Sequence, residues 1–410
     1  MHVLLAMKFF FNCCSYLLIL ISGNNVFSQS VTRHDYSADV ALFANQLASG
    51  HPYLFKLIPE DTFDVLIKGL KNKAHSISSE ELAVELFRIN ARIADEHTLV
   101  EPIDSMLFPF RFELFDEGMA VIITDSLHQE HLFSRVLAID GHAIAEVLHA
   151  LSGILKKDNI SFQTFLIAYY LNRPAMLYGL GMLEQRDRAI FTFLTPSGDT
   201  VSTTIQAVPA AVVRLNYYRN LPMGMQFAVE GRHYDYKYDD TTGLLFFEYA
   251  RCSEEEELPF REFNKQLFDI VKAKHPSKLI VDLRFNGGGS SSVLNPFLKS
   301  IKSSYLNAPG KLYVLTGRKT FSSALMNAIE LVRSTDAITI GEATGANINH
   351  YGEVKSFVLP DSKITVYYST KYWENWPGHD GPLVPDVSLE HRYSNFIEGR
   401  DEALEYILHH

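Results

Sequence analysis

The spacing of apolar residues changes twice along the chain, and each change predicts a different kind of structure. Between residues 34 and 100, apolar side chains recur every three or four positions in two stretches, 39–48 and 79–94, as they do in amphipathic helices. Ser78 or Ser79 precedes two glutamates, which is typical of a helix start. We therefore predict an N-terminal helical domain at 29–107.

From residue 108 to 208 the pattern changes to short alternating runs separated by turns. Strands are predicted at 110–114, 119–124, 134–139 and 189–195. A turn at Asp140-Gly141 and a helix at 144–155 lie between them. The run from strand through turn into helix is similar to the rhythm of a PDZ-like module, so we predict a β-rich, PDZ-like region here.

From 209 to 395, apolar strands alternate with amphipathic helices, which is typical of an α/β core. Strands are predicted at 244–250, 278–284 and 311–316, and helices at 260–274 and from 324 onward. Residues 396–410 are predicted to form a helical tail. The expected fold is therefore α/β, in an α+β multidomain arrangement, with a helical segment, a β-rich module and an α/β core.

Two predicted strand ends carry the candidate chemistry. The strand at 278–284 runs into Gly287-Gly288-Gly289, and the strand at 311–316 runs through a short turn into Ser322-Ser323 and a helix. A glycine loop with free backbone N–H groups beside a serine can supply an oxyanion hole and a nucleophile. The alternative is that Ser322 or Ser323 caps the helix and that the glycines only permit a tight turn.

Composition and charge exclude several classes of protein. The chain has 410 residues, of which 47% are hydrophobic and 21% charged, so it can bury a sizeable core. A net charge of −11 without a basic stripe argues against a nucleic-acid partner. The sequence contains neither an H-E-x-x-H zinc motif nor a Walker loop.

The first 28 residues predict a secretory signal peptide. Lys8 is the charged residue before a short apolar run, and Val26 and Ser28 fit a cleavage site. The alternatives are a membrane anchor, for which the run is short, and a lipoprotein using Cys13 or Cys14. We expect an exported protein, periplasmic or extracellular, with no stable membrane span after signal removal.

One cysteine, Cys252, remains after that cleavage, so no internal disulfide is expected. It ends a strand-like run, and no histidine partner is suggested nearby. A buried structural role is therefore favoured over a catalytic thiol.

Four segments, taken together, resemble the tail-specific, or C-terminal processing, family of serine peptidases and the related tricorn-like proteins. They follow one another in the family's order over about 110 residues, at 280–289, 320–324, 340–345 and 381–386. The resemblance implies a crotonase-like, tail-specific protease core, a peptide or protein substrate, and hydrolysis through an acyl-enzyme. It implies neither a metal nor an organic cofactor.

The resemblance also implies roles for individual residues. Ser322 stands where the family has its nucleophile, and the N–H groups of Gly287, Gly288 and Ser323 would form the oxyanion hole. Many members use a lysine about 25 residues after the serine, but Asn347 is found there. The nearest later lysine, Lys355, falls in a strand pattern.

A histidine base is therefore expected, as in the tricorn-like branch. His97, in Asp95-Glu96-His97-Thr98, matches that branch's upstream motif, and histidine can accept and return a proton near neutral pH. Asp380, just before the last matching segment, is predicted to orient it, with Glu374 as a second candidate.

The sequence thus predicts an exported serine peptidase. The alternatives are an inactive peptide- or ligand-binding protein on the same scaffold, and an esterase with the same chemistry. The long apolar stretch at 158–183 is expected to cover the active site or to belong to a peptide-binding module. The sequence does not determine the oligomeric state.

Overall fold

The N-terminal part of the chain folds into helices followed by one short strand. The computed structural model describes residues 32–101 and 105–410, so the predicted signal peptide at 1–28 lies outside the described residues. The elements of the first range are α1 (Ser37–Gly50), α2 (Leu54–Leu57), α3 (Glu60–Lys73), α4 (Ser79–Asn90) and β1 (Leu99–Glu101). Ser78 caps α4 in a capping box with Glu81, which confirms the predicted helix start.

The next region is mainly antiparallel sheet. Its elements are β2 (Met106–Leu107), β3 (Phe110–Phe115), β4 (Gly118–Thr124), β5 (Arg135–Ile139), β6 (His142–Ala143), α5 (Ile144–Ser152), α6 (Ile160–Tyr170), α7 (Pro174–Gly179), β7 (Arg188–Leu194), β8 (Thr200–Gln206) and β9 (Val208–Pro209). The sheet order is β3-β4-β5-β7-β8, with β6 paired to β5 and a separate β2-β9 pair. All four predicted strands and the predicted helix are confirmed to within a few residues.

The last region is the predicted α/β core. Its elements are α8 (Met223–Glu230), β10 (Tyr234–Asp239), β11 (Leu244–Tyr249), α9 (Phe260–Lys274), β12 (Lys278–Asp282), α10 (Asn295–Lys302), β13 (Leu312–Thr316), α11 (Ser323–Ser334), β14 (Ile338–Gly341), β15 (His350–Val358), β16 (Thr365–Trp373), β17 (Val387–Ser388), α12 (Tyr393–Ile397) and α13 (Glu402–His409). A 3₁₀ turn, Ser291–Leu294, precedes α10.

A six-stranded sheet with the order β10-β11-β12-β13-β14-β17 organises this core. In this sheet β11, β12, β13, β14 and β17 run parallel. The central strands are buried on both faces, so their residues are mainly apolar. Because β12 and β13 are parallel neighbours, the loops that follow them leave the same edge of the sheet. The glycine loop and the serine turn are these two loops.

A second sheet, with the order β1-β16-β15, joins the N-terminal part to the core. Leu99 pairs with Tyr367 in an antiparallel register. The prediction of a helical region up to residue 100 was therefore wrong at its end, because 99–101 gain strand hydrogen bonds from β16. No local pattern encodes a partner so distant in the chain.

Residues 33–410 form one compact unit, and the predicted domain boundaries within it stay predictions. In the two ranges that the structure describes, every helix is too short or too polar to cross a membrane.

A buried carboxylate ties α1 to the turn between β15 and β16. The Asp39 side chain is fully buried and accepts hydrogen bonds from the backbone N–H groups of Asp361 and Ser362, both at 2.8 Å. Removing the carboxylate would leave two N–H donors without acceptors.

We expect Asp39→Ala to lower the free energy of unfolding by about 2–4 kcal/mol, since both donors lose their acceptor. Denaturant unfolding of the purified chain measures this. Asp64→Ala on α3 is the matched control; its side chain is exposed, so a change within about 0.5 kcal/mol is expected. Equal losses in the two variants would show that Asp39 does not stabilise this junction.

Candidate active site

Ser322 lies on a strained turn between β13 and α11. Its backbone has φ 50° and ψ −125°, a conformation that costs free energy for any residue except glycine. The turn is held by its neighbours: Phe321 N–H donates to Asn286 O at 3.0 Å, and the Thr320 hydroxyl donates to Leu283 O at 2.8 Å. Contacts with the adjacent loop therefore maintain the strain and present a half-buried serine at the start of a helix.

Gly288 lies directly against this serine. Its φ is +103°, and a Cβ atom there would lie 2.8 Å from Ser322 Cβ and 3.2 Å from Ser323 N. Glycine is therefore required for the two loops to approach this closely. The predicted proximity of the glycine loop and the serine is confirmed.

The N–H groups of the two loops are not equally available. Gly288 N–H donates to the Asn286 side chain at 2.9 Å, and Asn286 is itself anchored to Tyr249 O at 2.7 Å. This bond argues against the prediction that Gly288 donates to an oxyanion. The N–H groups of Gly287 and Ser323 make no hydrogen bond within the part of the chain that the structure describes.

The hydroxyls of the two serines also differ. The Ser323 hydroxyl is buried and donates to Gly289 O at 2.8 Å, linking α11 to the glycine loop. The Ser322 hydroxyl forms no hydrogen bond with any described residue. Ser323 therefore has a structural partner, whereas Ser322 has a free hydroxyl.

Cys252 supports the glycine loop from the neighbouring strand end. Its N–H donates to Gly288 O at 3.1 Å, and its carbonyl accepts from Ser290 N–H at 2.7 Å. Burial raises the pKa of its thiol to about 11. The prediction that this cysteine is buried is confirmed, and a protonated thiol suits a structural role.

His97 lies immediately before β1 and is only 7% exposed. Its ring packs on Phe321, the residue before Ser322, with 4.5 Å between centroids, and stacks on His350 at 5.2 Å. Neither ring nitrogen has a hydrogen-bond partner among the described residues. Burial, together with the charge of His350, lowers the pKa of His97 to about 4, so the ring is neutral near pH 7.

Asp95 fixes the turn that carries His97. One carboxylate oxygen accepts from His97 backbone N–H at 2.9 Å, and the other accepts from Thr98 Oγ1 at 2.6 Å and lies 3.1 Å from His51 Nε2. Burial acts to raise the pKa of Asp95, but the bonds from His51 and Thr98 and the charge of Lys156 hold it below its usual value. Asp95 therefore orients the backbone of His97 and not its ring.

Glu96 connects the same turn to the loop after β14. Its Oε1 accepts from Asn347 N–H at 3.1 Å, and burial and the charge of Asp158 raise its pKa to about 7. Possible ligand atoms of Asp95, Glu96 and His97 lie within 4.8 Å of one another. Because both carboxylates already accept protein hydrogen bonds, we assign no metal to this cluster.

Neither candidate acid contacts His97 within the described residues. Asp380 and Glu374 are exposed, and no hydrogen bond or ion pair joins either carboxylate to the His97 ring in the described residues. Lys355 is exposed on β15. The role of Asp380 in orienting the base stays a prediction.

Sequence reasoning gave no role to the rings of Phe162 and His350, which pack at the site. The Phe321 ring lies between His97 and Phe162, whose ring is 4.6 Å away, and His350 covers the other face of His97. Phe162 belongs to α6, which is capped by Asn159. The Asn159 amide also donates to Thr344 O and Asn347 Oδ1, both at 3.2 Å, so the predicted apolar stretch at 158–183 does lie against this site.

A cavity of about 480 Å³ lies beside His97. Aromatic residues of α6 form much of its wall, and β1 and β16 contribute Leu99 and Tyr367. This mainly apolar space beside His97 can hold an apolar side chain.

Comparisons with known proteins identify the fold. The sequence matches no protein-family model and no curated protein. The structure is similar to mature CPAF complexed with lactacystin (TM-score 0.65, 13% identity, 91% of this chain and 97% of that chain) and to mature CPAF alone (TM-score 0.62, 14% identity, 91% and 95%). The photosystem II D1 C-terminal processing protease matches with a TM-score of 0.42 and 12% identity over 87% and 93% of the two chains.

The two likenesses to CPAF confirm the predicted fold class, that of the tail-specific, or S41, peptidases. At 13% identity they show the fold alone. The chemistry of the site has to be argued from the residues of this chain.

We expect Gly288→Ala to destabilise the protein more than Gly141→Ala does. Both positions have positive φ, but a Cβ at Gly141 would meet nothing within 4 Å. The control should lose about 1 kcal/mol to backbone strain, and Gly288→Ala at least about 1 kcal/mol more from the clash with Ser322. Denaturant unfolding measures both, and equal losses would mean that the two loops separate at little cost.

Proposed function

We propose that this protein is an exported serine peptidase in which Ser322 is the nucleophile and His97 is the base. One observation carries the proposal: a strained serine with a free hydroxyl stands at the start of α11, against Gly288 and beside a buried neutral histidine. Strained backbone of this kind is concentrated at functional sites. The S41-type fold supports a peptide or protein as the substrate.

In the proposed reaction, Ser322 Oγ attacks the carbonyl carbon of the scissile bond. His97 takes the hydroxyl proton, then gives it to the leaving amine as the bond to nitrogen breaks. A water molecule, deprotonated by the same ring, attacks the acyl-enzyme; the bond to Ser322 Oγ breaks, the second product leaves, and His97 returns the proton to Oγ. Neither ring nitrogen has a partner among the described residues that must first be displaced, and the hydrogen bond to Ser322 would form when substrate closes the site.

The oxyanion of each tetrahedral intermediate would be held by the N–H groups of Gly287 and Ser323. Neither N–H group has an acceptor among the described residues, and the one of Ser323 belongs to the first turn of α11, where the helix dipole favours negative charge. The role of Gly288 is then to allow the close approach of the two loops. Asp380 is retained as the proposed orienting acid, which would require its exposed loop to move toward His97.

A non-catalytic binding protein on the same scaffold is the second candidate. It is favoured by the absence, within the described residues, of any hydrogen bond that links Ser322, His97 and an acid. An esterase would use the same residues as the peptidase. The two experiments below separate a reactive serine from an inert one.

We expect a fluorophosphonate probe to label the mature protein at Ser322. Ser322→Ala should abolish labelling, and His97→Gln should slow it by about 100-fold or more, because the serine loses its base. Ser323→Ala should still be labelled, at a reduced rate, since its N–H remains. Labelling is measured by in-gel fluorescence and by mass spectrometry of the modified peptide.

Ser290→Ala is the matched control, because this serine on the glycine loop is exposed and its hydroxyl, within the described residues, contacts only that of Ser292. Its labelling rate should equal that of the wild type. A folded wild-type protein that remains unlabelled would contradict the peptidase proposal and favour the binding protein.

The pH dependence of labelling should report the depressed pKa of His97. The ring accepts a proton only when neutral, and its pKa lies at about 4, below the usual value for histidine. We therefore expect a rate that is constant from about pH 5.5 to 8 and that falls as the pH drops through about 4. Circular dichroism at each pH excludes acid unfolding, and a midpoint at or above the ordinary histidine value would exclude a buried His97 as the base.

A further inference from the structure

A second, smaller cavity lies at the carboxyl edge of the six-stranded sheet. It has a volume of about 90 Å³ and is enclosed between β3 and the loops that follow β12, β13 and β14. Arg111 and Glu113 of β3 line it together with Arg318, Lys319 and Glu342, and apolar side chains, among them Phe285 and Phe396, line the rest. Ligands in parallel α/β sheets commonly bind at such strand ends.

Two cations in this cavity have no direct counter-ion. Within residues 32–101 and 105–410, neither Arg111 nor Lys319 makes a side-chain hydrogen bond or an ion pair. Burial, followed by the charge of Arg111, lowers the pKa of Lys319 to about 8, and burial also lowers the pKa of Arg111. Burial therefore raises the free energy of both charged side chains, and the repulsion between the two cations raises it further.

The acidic groups around the cavity are already paired. Arg318 binds Glu342 at 2.7 Å and Glu113 at 3.6 Å. Arg284 binds Asp282 at 2.7 Å and Asp401 at 2.8 Å. Glu113 is the acid whose charge reaches both Arg111 and Lys319, but its carboxylate lies beside Arg318 and burial raises its pKa.

We propose that Arg111 and Lys319 together bind a carboxylate in this cavity. A guanidinium can hold a carboxylate through two parallel hydrogen bonds, and an ammonium adds a point charge beside it. The volume is sufficient for a carboxylate group, since a water molecule needs about 10–15 Å³ of such space. A doubly charged phosphate is disfavoured because Glu113 and Glu342 are close by.

The carboxylate has two possible sources, a small free acid or the carboxyl group of a peptide. Lys319 is three residues before Ser322 in the same turn, so a peptide carboxyl group bound there would be anchored near the nucleophile. The site itself is independent of the proposed function. Only the peptide source depends on it.

The test is thermal unfolding of the full mature chain in sodium acetate and in sodium chloride at equal ionic strength. We expect acetate to raise the Tm of the wild type by about 2 °C or more relative to chloride, because it binds the folded state alone. Lys319→Met and Arg111→Met should each remove that difference. Lys272→Met, which changes an exposed lysine on α9, should keep it.

Both cavity variants are expected to fold, since each removes a partly buried cation that has no hydrogen bond or ion pair among the described residues. In chloride their Tm should equal or exceed that of the wild type. No acetate effect in the wild type up to about 100 mM, or an equal effect in the wild type and both cavity variants, would overturn the proposal.

The source of the carboxylate is tested on Ser322→Ala protein by fluorescence anisotropy of a labelled pentapeptide ending in leucine. If peptides supply the group, the free-acid form should bind at least tenfold more tightly than its C-terminal amide, and acetate should displace it. Equal binding of acid and amide, with the acetate effect on Tm intact, would assign the site to a small free acid. A wild-type protein that resists fluorophosphonate would refute the peptidase proposal and leave the acetate result standing.

Discussion

The antiparallel pairing of β1 with β16 is the contact on which the candidate site depends. His97 and Ser322 are 225 positions apart in the chain, and His97 is fixed just before β1. Three residue pairs align β1 with β16, and Ser369 N–H donates to Thr98 Oγ1 at 3.3 Å. This pairing, together with the side-chain hydrogen bonds of Asp95 and Glu96, holds the histidine turn against Phe321.

Burial gives the two halves of the site their properties. The backbone of the serine turn is strained, and contacts with the neighbouring glycine loop hold it in that conformation. The histidine is kept neutral because aromatic rings cover both of its faces and exclude water. Asp95, although adjacent in sequence, is committed to backbone and side-chain donors of its own turn and holds that turn rigid.

The two cavities differ in the charge of the residues that line them. The larger one is mainly apolar and lies beside the neutral His97. The smaller one is lined by charged groups as well as apolar ones, and two of its cations have no direct partner among the described residues. Phe165 of α6 lines both cavities, so the helix that is capped by Asn159 contributes to both spaces.

The amino-acid sequence by itself determined the local elements and the class of fold. Periodicity located the capped helix α4, the helix α9 and the parallel strands, because these patterns reflect which face of an element is buried. The order of the four motifs indicated the core of a tail-specific protease. The sequence also predicted that the glycine loop and the serine turn lie close together, since each follows a strand and parallel neighbouring strands end at the same edge of a sheet.

Only the tertiary structure decided which groups remain free. The Asn286 side chain, 36 residues before Ser322, occupies the N–H of Gly288, and the Gly289 carbonyl occupies the hydroxyl of Ser323. His350 and Phe162 enclose the site from elements distant in the chain. Hydrogen bonding and burial between such residues depend on distances in space, which a one-dimensional pattern does not contain.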